Sequence, residues 1–346
     1  MSASRRAGKQ TVRIENVGIE SSAAIVGEKE GRGPLNESFD ICLPDNEWSE
    51  KTWEKTESKM QKEVARLAVE KGGLELSDID YILSGDLLNQ CISAGFGLRE
   101  LNIPFFGIYG ACSTMLEGIS LASILIDGGF AKYAEAVTSS HFCTAERQYR
   151  NPLEYGGQRT PTAQWTVTGA GAAVLKSGYE TGDIRVTHLT TGKIVDMGIK
   201  DANNMGGAMA PAAYETIKAF FEDTGFSPSD YDLIVTGDLG IVGSEILTEL
   251  LLRDGIDISK NYKDCGCMIY DIERQDVHAG GSGCGCVASV LCGHLFDNMK
   301  NGKISSLLAV GTGALLSQTS SLQGESVPGI AHAVSFKIAK EGDGIQ

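Results

Sequence analysis

A motif that occurs twice constrains the fold of this chain more than any other feature. Residues 78–87 read DIDYILSGDL and residues 230–239 read DYDLIVTGDL, so equivalent positions such as Asp86 and Asp238 are 152 residues apart. Each copy is a short apolar run that ends in Gly-Asp-Leu, which is typical of a buried strand followed by a turn. The repeat therefore predicts a fold built from two similar halves.

The segments before each copy have the spacing of amphipathic helices that end in glycine. The first apolar stripe ends before Gly72-Gly73 and consists of Met60, Val64, Leu67 and Ala68. The second ends before Gly225 and consists of Tyr214, Ile217, Phe220 and Phe221. Pro211 is placed as the first residue of the second helix, because proline is favoured at that position.

The order of elements after each copy also matches. A second helix-like segment, a β-like run and a turn of small residues follow, GACST at 110–114 and GGSGCGC at 280–286. A third helix then leads to a strand that ends in small polar residues. Strands alternating with helices imply parallel strands joined by right-handed crossovers. We expect an α/β fold, a layered α/β/α/β/α sandwich with halves at 9–177 and 178–337, and flexible tails at 1–8 and 338–346.

Charge and composition exclude several classes of function. The formal net charge is −15, which argues against direct contact with nucleic acid or with anionic lipid. No segment approaches the roughly 18–20 apolar residues of a membrane span, so direct membrane insertion is not expected. The nine cysteines are interpreted as reduced. The pairs Cys265/Cys267 and Cys284/Cys286 do not have the spacing of a structural zinc site, so no metal site is predicted.

Three segments resemble the thiolase and ketoacyl synthase superfamily. They are the repeat described above, YGACSTMLEGISLAS at 109–123 and TVTGAGAAVL at 166–175. The resemblance implies a thiolase-like sandwich in which Cys112 lies at the N-terminus of a buried helix, where enzymes of the superfamily carry the acyl group. Helix N-termini stabilise a thiolate or a bound anion, so the position suits either chemistry.

Within that superfamily the chain resembles the stage V sporulation AD proteins of spore-forming bacteria. The segments that carry this resemblance are GDLLNQ at 85–90, IDGGFAKYA at 126–134, TAERQYRNPLEYGGQ at 144–158, GAMAPAA at 207–213 and GTGALLS at 311–317. The resemblance implies a protein that binds dipicolinic acid in sporulation and germination. It would be the soluble subunit of a channel, peripheral at the spore inner membrane and held by integral membrane subunits. Superfamily members commonly dimerise through the sheet edge, so a homodimer is compatible with the sequence.

The catalytic partners that condensing enzymes require are not matched in the second half. Such enzymes use a histidine, with an asparagine or a second histidine, to activate the cysteine and the incoming carbonyl. This chain has Gly237 and Asp238 at the first of these positions and Gly280-Gly281-Ser282 at the second, and His278 lies two or three residues too early. We therefore predict no catalytic residues.

Two other interpretations stay open at this point. One is an acyl-CoA-dependent acyltransferase or ketoacyl synthase that uses Cys112, with His278 or His141 as the base. The other is a structural subunit whose pocket has lost its function. An acyl adduct on Cys112 that turns over would favour the enzyme, and pocket substitutions without effect on binding would favour the structural subunit.

The predicted ligand-binding residues are Asp86, Cys112, Ser113, Thr114, His141 and Arg147. Dipicolinate is a flat ring with two carboxylates, so donors are needed on opposite sides. The turn at 112–114 would supply N–H and hydroxyl groups, His141 a further donor, and Arg147 with Arg150 a bidentate clamp. Asp86 is explained either as a helix cap or as a ligand of calcium that arrives as the dipicolinate chelate. The alternative role of His141 is to fill a loop. No cofactor is expected.

Overall fold

The computed structural model describes residues 5–149 and 159–342. The strands of the first half are β1 (Thr11–Arg13), β2 (Val17–Val26), β3 (Ile41–Cys42), β4 (Tyr81–Gly85), β5 (Phe105–Gly107), β6 (Tyr133–Ser140), β7 (Trp165–Thr166) and β8 (Gly169–Ser177). Those of the second half are β9 (Ile184–Thr190), β10 (Leu233–Thr236), β11 (Tyr262–Asp264), β12 (Gly281–Ser282), β13 (Ser306–Ala314) and β14 (Gly329–Ile338). The helices are α1 (Trp53–Lys71), α2 (Ile92–Leu98), α3 (Thr114–Asp127), α4 (Phe142–Tyr149), α5 (Met205–Thr224), α6 (Gly240–Arg253), α7 (Cys265–Met268), α8 (Cys284–Ser289), α9 (Phe296–Lys300) and α10 (Gln318–Leu322).

The two halves have the same strand order and the same strand directions. The first half runs β2-β8-β6-β4-β5 and the second runs β9-β14-β13-β10-β11. In each half the last three strands of that order are parallel, whereas the two strands nearest the other half are antiparallel to their neighbours. The duplicated fold is therefore confirmed, but the expectation of parallel strands holds for only part of each sheet.

Three apolar clusters separate the five layers. One cluster packs α1 against the first sheet, with Met60, Val64 and Ala68 fully buried. A central cluster holds α3 and α8 between the sheets, and a third packs α5 against the second sheet. Each sheet thus has helices on both faces, which gives the predicted α/β/α/β/α sandwich.

The first predicted helix agrees with the structure, and the second begins earlier than expected. Helix α1 is capped by the Thr52 side chain and ends before Gly72, as its stripe and glycines indicate. Helix α5 begins at Met205, where the Asn204 side chain accepts a hydrogen bond from Gly207 N, so Pro211 lies inside the helix. The placement of Pro211 as the first residue is wrong, because the Asn204 cap and the burial of the preceding turn offset the one hydrogen bond that proline cannot donate.

The two central helices bring the halves together at one place. Helix α3 begins at Thr114, the last residue of the turn at 110–114. Helix α8 begins at Cys284 and continues through a π-helical turn, Val290–Leu295, into α9. The N-terminal ends of α3 and α8 therefore carry Cys112 and Cys284 toward each other.

The N-terminal segment crosses to the second half. Strand β1 pairs with β9, and the backbone N–H groups of Lys9, Gln10 and Thr11 donate to the Asp223 carboxylate. The predicted boundary at 177/178 lies between β8 and β9. Of the predicted tails, residues 1–4 and 343–346 lie outside the described residues. Within the described ranges, no helix combines the length and the apolar character needed to cross a membrane.

Candidate functional site

The turn at 110–114 uses most of its own polar groups. Ser113 Oγ donates to Gly110 O at 2.6 Å, and Thr114 Oγ1 donates to Ala111 O at 2.6 Å. The N–H groups of Ser113 and Thr114 point back to the same two carbonyls, at 3.0 and 3.3 Å. Ala111 has a positive φ of 51°, which tightens the turn. The Ser113 and Thr114 groups predicted to bind a ligand therefore stabilise the turn that positions Cys112.

Cys112 lies in a small apolar cluster at the meeting point of the two central helices. Its neighbours are Leu87, Ala145 and Cys284, all buried, with the half-buried Tyr149 packed against them. The relative exposure of Cys112 is 6%, so the thiol reaches solvent through a narrow opening at most. Cys112 lies just before α3 and Cys284 is the first residue of α8, and these two helices are equivalent in the two halves. The duplication has therefore placed a cysteine at the start of each central helix.

Asp238 is the most informative neighbour of Cys112. Its buried carboxylate accepts from Thr312 Oγ1 at 2.7 Å, Gly283 N at 2.9 Å and Ser282 Oγ at 3.1 Å, and its charge acts on the Cys112 thiol beside it. Burial raises the pKa of the Cys112 thiol, and the neighbouring carboxylate raises it further. Burial also raises the pKa of Asp238. A thiolate at this position is disfavoured, because a second negative charge would be buried beside the first.

The equivalent residue of the first half, Asp86, has a different role. Its carboxylate is buried and accepts from the N–H groups of Leu88 at 2.8 Å and Ala94 at 2.7 Å. Both oxygens thus satisfy backbone groups around the start of α2, which is the capping alternative considered for this residue. In the second half a different residue, Asp264, accepts from Leu239 N at 2.8 Å and Gly240 N at 3.0 Å, which leaves Asp238 available to Cys112.

His141 is held by the backbone on both sides of its ring. Its Nε2 lies 2.9 Å from Asn46 O, and its Nδ1 accepts from Cys143 N at 3.2 Å. Nε2 must carry the proton, and burial lowers the pKa of His141 to about 4. The residue is neutral near pH 7, and it fastens the segment around Asn46 to the start of α4, which is the loop-filling role considered above.

Helix α4 presents Ala145 and Tyr149, and not Arg147, to the cysteine cluster. Ala145 and Tyr149 are one turn apart on the same face, whereas Arg147 lies about 200° around the helix from Ala145. Arg147 is exposed, pairs with Glu54 and lies over the Trp53 ring at 5.5 Å. Arg150, the second predicted clamp residue, lies outside the described residues. The structure therefore does not bring Arg147 to Cys112.

Two tyrosines near the cysteine were missed by the sequence analysis. The hydroxyls of Tyr109 and Tyr149 lie 3.3 Å apart, and Tyr149 Oη also donates to Leu87 O. Burial raises the pKa of both phenols, so they keep their protons and can donate. Tyr109 immediately precedes the GACST turn, but no sequence pattern indicated that its side chain would meet that of Tyr149.

Known proteins with similar sequences identify the family of this chain. Residues 8–337 match the family model of stage V sporulation protein AD. The curated stage V sporulation protein AD of Bacillus subtilis (strain 168) is 47% identical over 333 residues, which cover 96% of this chain and 98% of that protein. The chain belongs to the stage V sporulation protein AD family. The resemblance predicted from the sequence is confirmed, and the chain is a sporulation protein.

Solved structures place this member of the stage V sporulation protein AD family on the ketosynthase fold. OleA of Xanthomonas campestris with cerulenin matches with a TM-score of 0.60 and 15% identity, covering 94% of this chain and 97% of that chain. The 3-oxoacyl-[acyl-carrier-protein] synthase III of Aquifex aeolicus matches with a TM-score of 0.55 and 14% identity, covering 93% and 99%. The thiolase-like fold is confirmed, and at these identities the likeness carries the fold alone.

The histidines of this stage V sporulation protein AD family member are engaged away from Cys112. The partners are Asn46 and Cys143 for His141, Thr160 for His278, Ser38 and Asn298 for His294, and Gly192 for His332. The fifth, His188, packs edge-on against Phe226 in the second half. In the described ranges, no group of three histidine, cysteine, aspartate or glutamate side chains is arranged to hold a metal ion.

Proposed function

We propose that this protein binds dipicolinic acid, free or as its calcium chelate, in the cluster around Cys112, and that it does not catalyse acyl transfer. The observation that carries this proposal is the buried Asp238 carboxylate that lies beside the Cys112 thiol. Acyl transfer needs a thiolate beside a positive or proton-accepting group. The contact with Asp238 favours the neutral thiol, which lines a pocket but reacts poorly.

A donor for a ligand comes from Tyr109. Tyr149 Oη donates to Leu87 O, so the hydrogen between the two phenols belongs to Tyr109. Tyr109 is 44% exposed, and its hydroxyl can turn to a ligand carboxylate without leaving a buried group unpaired. Leu87, Ala145 and Cys284 supply the apolar surface against which a flat ring packs.

Calcium would enter this site only as part of the ligand. Both oxygens of Asp86 accept backbone N–H groups, so its coordination of calcium would require the turn before α2 to open. The chelate interpretation predicts that Asp86→Asn binds the free acid normally and loses its preference for the chelate. Equal loss of both would contradict it.

The cellular role that we propose follows from family membership. The protein would act as the soluble subunit of a spore inner-membrane channel, peripheral to integral membrane subunits, in uptake of dipicolinic acid during sporulation and its release in germination. A homodimer through the free edge of β5 is also proposed, since Phe105 and Phe106 there are 43% and 49% exposed.

The test is calorimetric titration of dipicolinate, with and without calcium, into the native protein and into Cys112→Leu. Leucine fills the cluster, so binding should weaken by more than about tenfold, or about 1.4 kcal/mol. Cys42→Leu changes an exposed cysteine on β3 and serves as the matched control. Saturable binding that survives Cys112→Leu would move the ligand to another site, and an absence of binding would overturn the proposal.

The competing enzyme interpretation has its own measurement. Incubation with acetyl-CoA followed by mass spectrometry should leave Cys112 unmodified, because its thiol is protonated and buried. An acetyl adduct on Cys112 that disappears when an acceptor is added would instead establish acyl transfer.

A further inference from the structure

A second concave surface lies in the C-terminal half. It is a cleft of about 370 Å³ bordered by β1, β9, the end of β14 and the loop after α5. Its lining includes the cations Arg13, Arg185 and Lys337 and one carboxylate, Glu15, which pairs with Arg13 at 2.6 Å. A positive cleft is unexpected on a chain whose net charge is −15.

Two of the cations are placed side by side by the sheet. Lys337 on β14 and Arg185 on β9 are directly paired residues of antiparallel strands. Like charges at directly opposed positions destabilise a sheet, since their β-carbons lie only about 5 Å apart. The sheet register therefore presents two cations at one point of the cleft wall.

The third cation, Arg13, lies on the neighbouring strand β1, next to His188 on β9. Arg13 on β1 is directly paired with His188 on β9. The pairing of β9 with β14 skips Thr187, since Ser335 pairs with His188 and Phe336 with Val186. This β-bulge turns His188 to the same side as Arg185, so both line the cleft.

Aromatic rings provide the apolar part of the cleft. Lys337 Nζ lies 4.8 Å from the centre of the Phe226 ring, and the His188 ring stands edge-on to Phe226 at 5.4 Å. Arg185 donates to Tyr179 Oη at 3.2 Å and lies over that ring. The cations are therefore oriented by aromatic faces, and the cleft offers flat walls as well as charge.

The electrostatic environment of His188 agrees with this arrangement. Burial, together with the charges of Lys337, Arg13 and Arg185, lowers the pKa of His188 to about 4. His188 Nδ1 is buried and has no hydrogen-bond partner among the described residues. A neutral imidazole with an unused nitrogen can accept or donate one hydrogen bond to a molecule in the cleft.

The cleft is separate from the Cys112 cluster. Lys337 is paired with Ser306 at the start of β13, whereas Thr312, which contacts Asp238, lies near the end of that strand. Six residues of extended strand span about 20 Å. A molecule the size of dipicolinate cannot reach from one site to the other.

We propose that this cleft is a second binding site, for a small ring-bearing dianion held between Arg185, Lys337 and Arg13 and packed against Phe226. The inference rests on the cleft alone and not on the function proposed for Cys112. A small molecule is favoured over a lipid surface because the cations line a concavity, whereas a membrane-binding patch projects its basic side chains outward.

Chemical footprinting at Lys337 tests the proposal on the native protein. Acetylation of Lys337 by a water-soluble ester is followed by mass spectrometry, with the exposed Lys263 as the internal reference. The probes are dipicolinate and isophthalate as ring dianions, benzoate as a ring monoanion and succinate as a dianion without a ring. We expect ring dianions to slow acetylation of Lys337 about tenfold at about ten times their Kd, and benzoate and succinate to do so far less.

Variants and a vesicle arm complete the test. Arg13→Gln, at an exposed position, and Arg185→Gln should remove the protection, whereas Cys112→Leu should keep it, which separates this site from the function proposed above. Protection that persists in both arginine variants would overturn the proposal. So would an absence of protection by either ring dianion, or protection by anionic phosphatidylglycerol vesicles alone.

Discussion

The Cys112 thiol lies beside the buried carboxylate of Asp238, a residue of the second copy of the repeated motif. The first copy carries Asp86 at the same position, yet Asp86 accepts backbone N–H groups before α2 and takes no part in this contact. The difference arises because Asp264 accepts the backbone N–H groups of Leu239 and Gly240 before α6. Asp238 is therefore not needed as a cap for that helix. One repeated aspartate therefore stabilises a turn, and the other keeps a buried thiol protonated.

Replacement of Asp238 by asparagine should make Cys112 more reactive. The carboxylate raises the pKa of the thiol, so its removal should lower that pKa and increase alkylation at pH 8 about tenfold. The rate of iodoacetamide labelling at Cys112, measured by peptide mass spectrometry, checks this. Asp254→Asn, at a surface position paired with Lys218, is the control. An unchanged or slower rate at Cys112 would show that Asp238 does not control the thiol.

Stability should fall with rising pH because of the buried pair Glu57 and Asp86. Burial raises the pKa of Glu57 to about 8 and that of Asp86 to about 6. The unfolded chain releases these protons near about pH 4. Between that pH and about 8 the folded state binds more protons than the unfolded state, so the free energy of unfolding decreases as the pH rises.

Glu57→Gln should flatten this dependence. The side chain accepts from Ser139 Oγ at 3.0 Å and Thr144 Oγ1 at 2.8 Å, and glutamine keeps the shape without the titration. Melting temperatures measured between pH 5 and pH 8.5 should decline less in Glu57→Gln than in the native protein. Glu70→Gln, exposed on the same helix, should follow the native curve. Parallel curves for native protein and Glu57→Gln would exclude Glu57 as the titrating group.

The isolated carboxyl of Glu135 should cost stability. The residue is fully buried on β6, and neither of its oxygens has a hydrogen-bond partner among the described residues. Replacement by leucine removes the unsatisfied group and should raise the free energy of unfolding by about 1–3 kcal/mol. Urea denaturation at pH 8 measures the change, with Glu135→Gln separating the loss of charge from the loss of polarity. Destabilisation by leucine would reveal a polar partner for this carboxyl.

The proposed homodimer depends on an exposed apolar strand edge. Phe106 on β5 is 49% exposed at the end of the sheet, where a second copy can continue the strand pairing. Phe106→Lys should convert a dimer to a monomer in sedimentation experiments. Leu322→Lys, at an 89% exposed position on α10, should leave the assembly unchanged. A native protein that sediments as a monomer at micromolar concentration would contradict the proposal.

Local patterns predicted the elements well where the periodicity was clear. The stripe of Met60, Val64 and Ala68 gave the buried face of α1, and the glycine at 72 gave its end. The pattern failed at Pro211, because a favourable first position for proline does not exclude an interior one when a cap lies further upstream. The antiparallel directions of β2 and β8 were also missed, since an apolar run does not encode the direction of its neighbour.

The site was predicted less completely than the fold. The motif around Cys112 gave the position of the thiol, but the sequence assigned ligand-binding roles to Ser113, Thr114 and His141, whose polar groups the structure finds bonded to the backbone. Sequence spacing cannot show which partner a hydroxyl or an imidazole will find, because such bonds depend on segments that meet only in the folded chain.

The sequence by itself determined the duplicated α/β architecture, the two central helices and the cysteine at the start of one of them. These follow from periodicity, glycine positions and a repeat, all of which are local. Only the tertiary structure decided that Asp238 would face Cys112 while Asp86 would not, and that Arg185 and Lys337 would be neighbours. Those contacts are set by sheet register and helix packing between distant segments, where a single residue's shift changes which side chains meet.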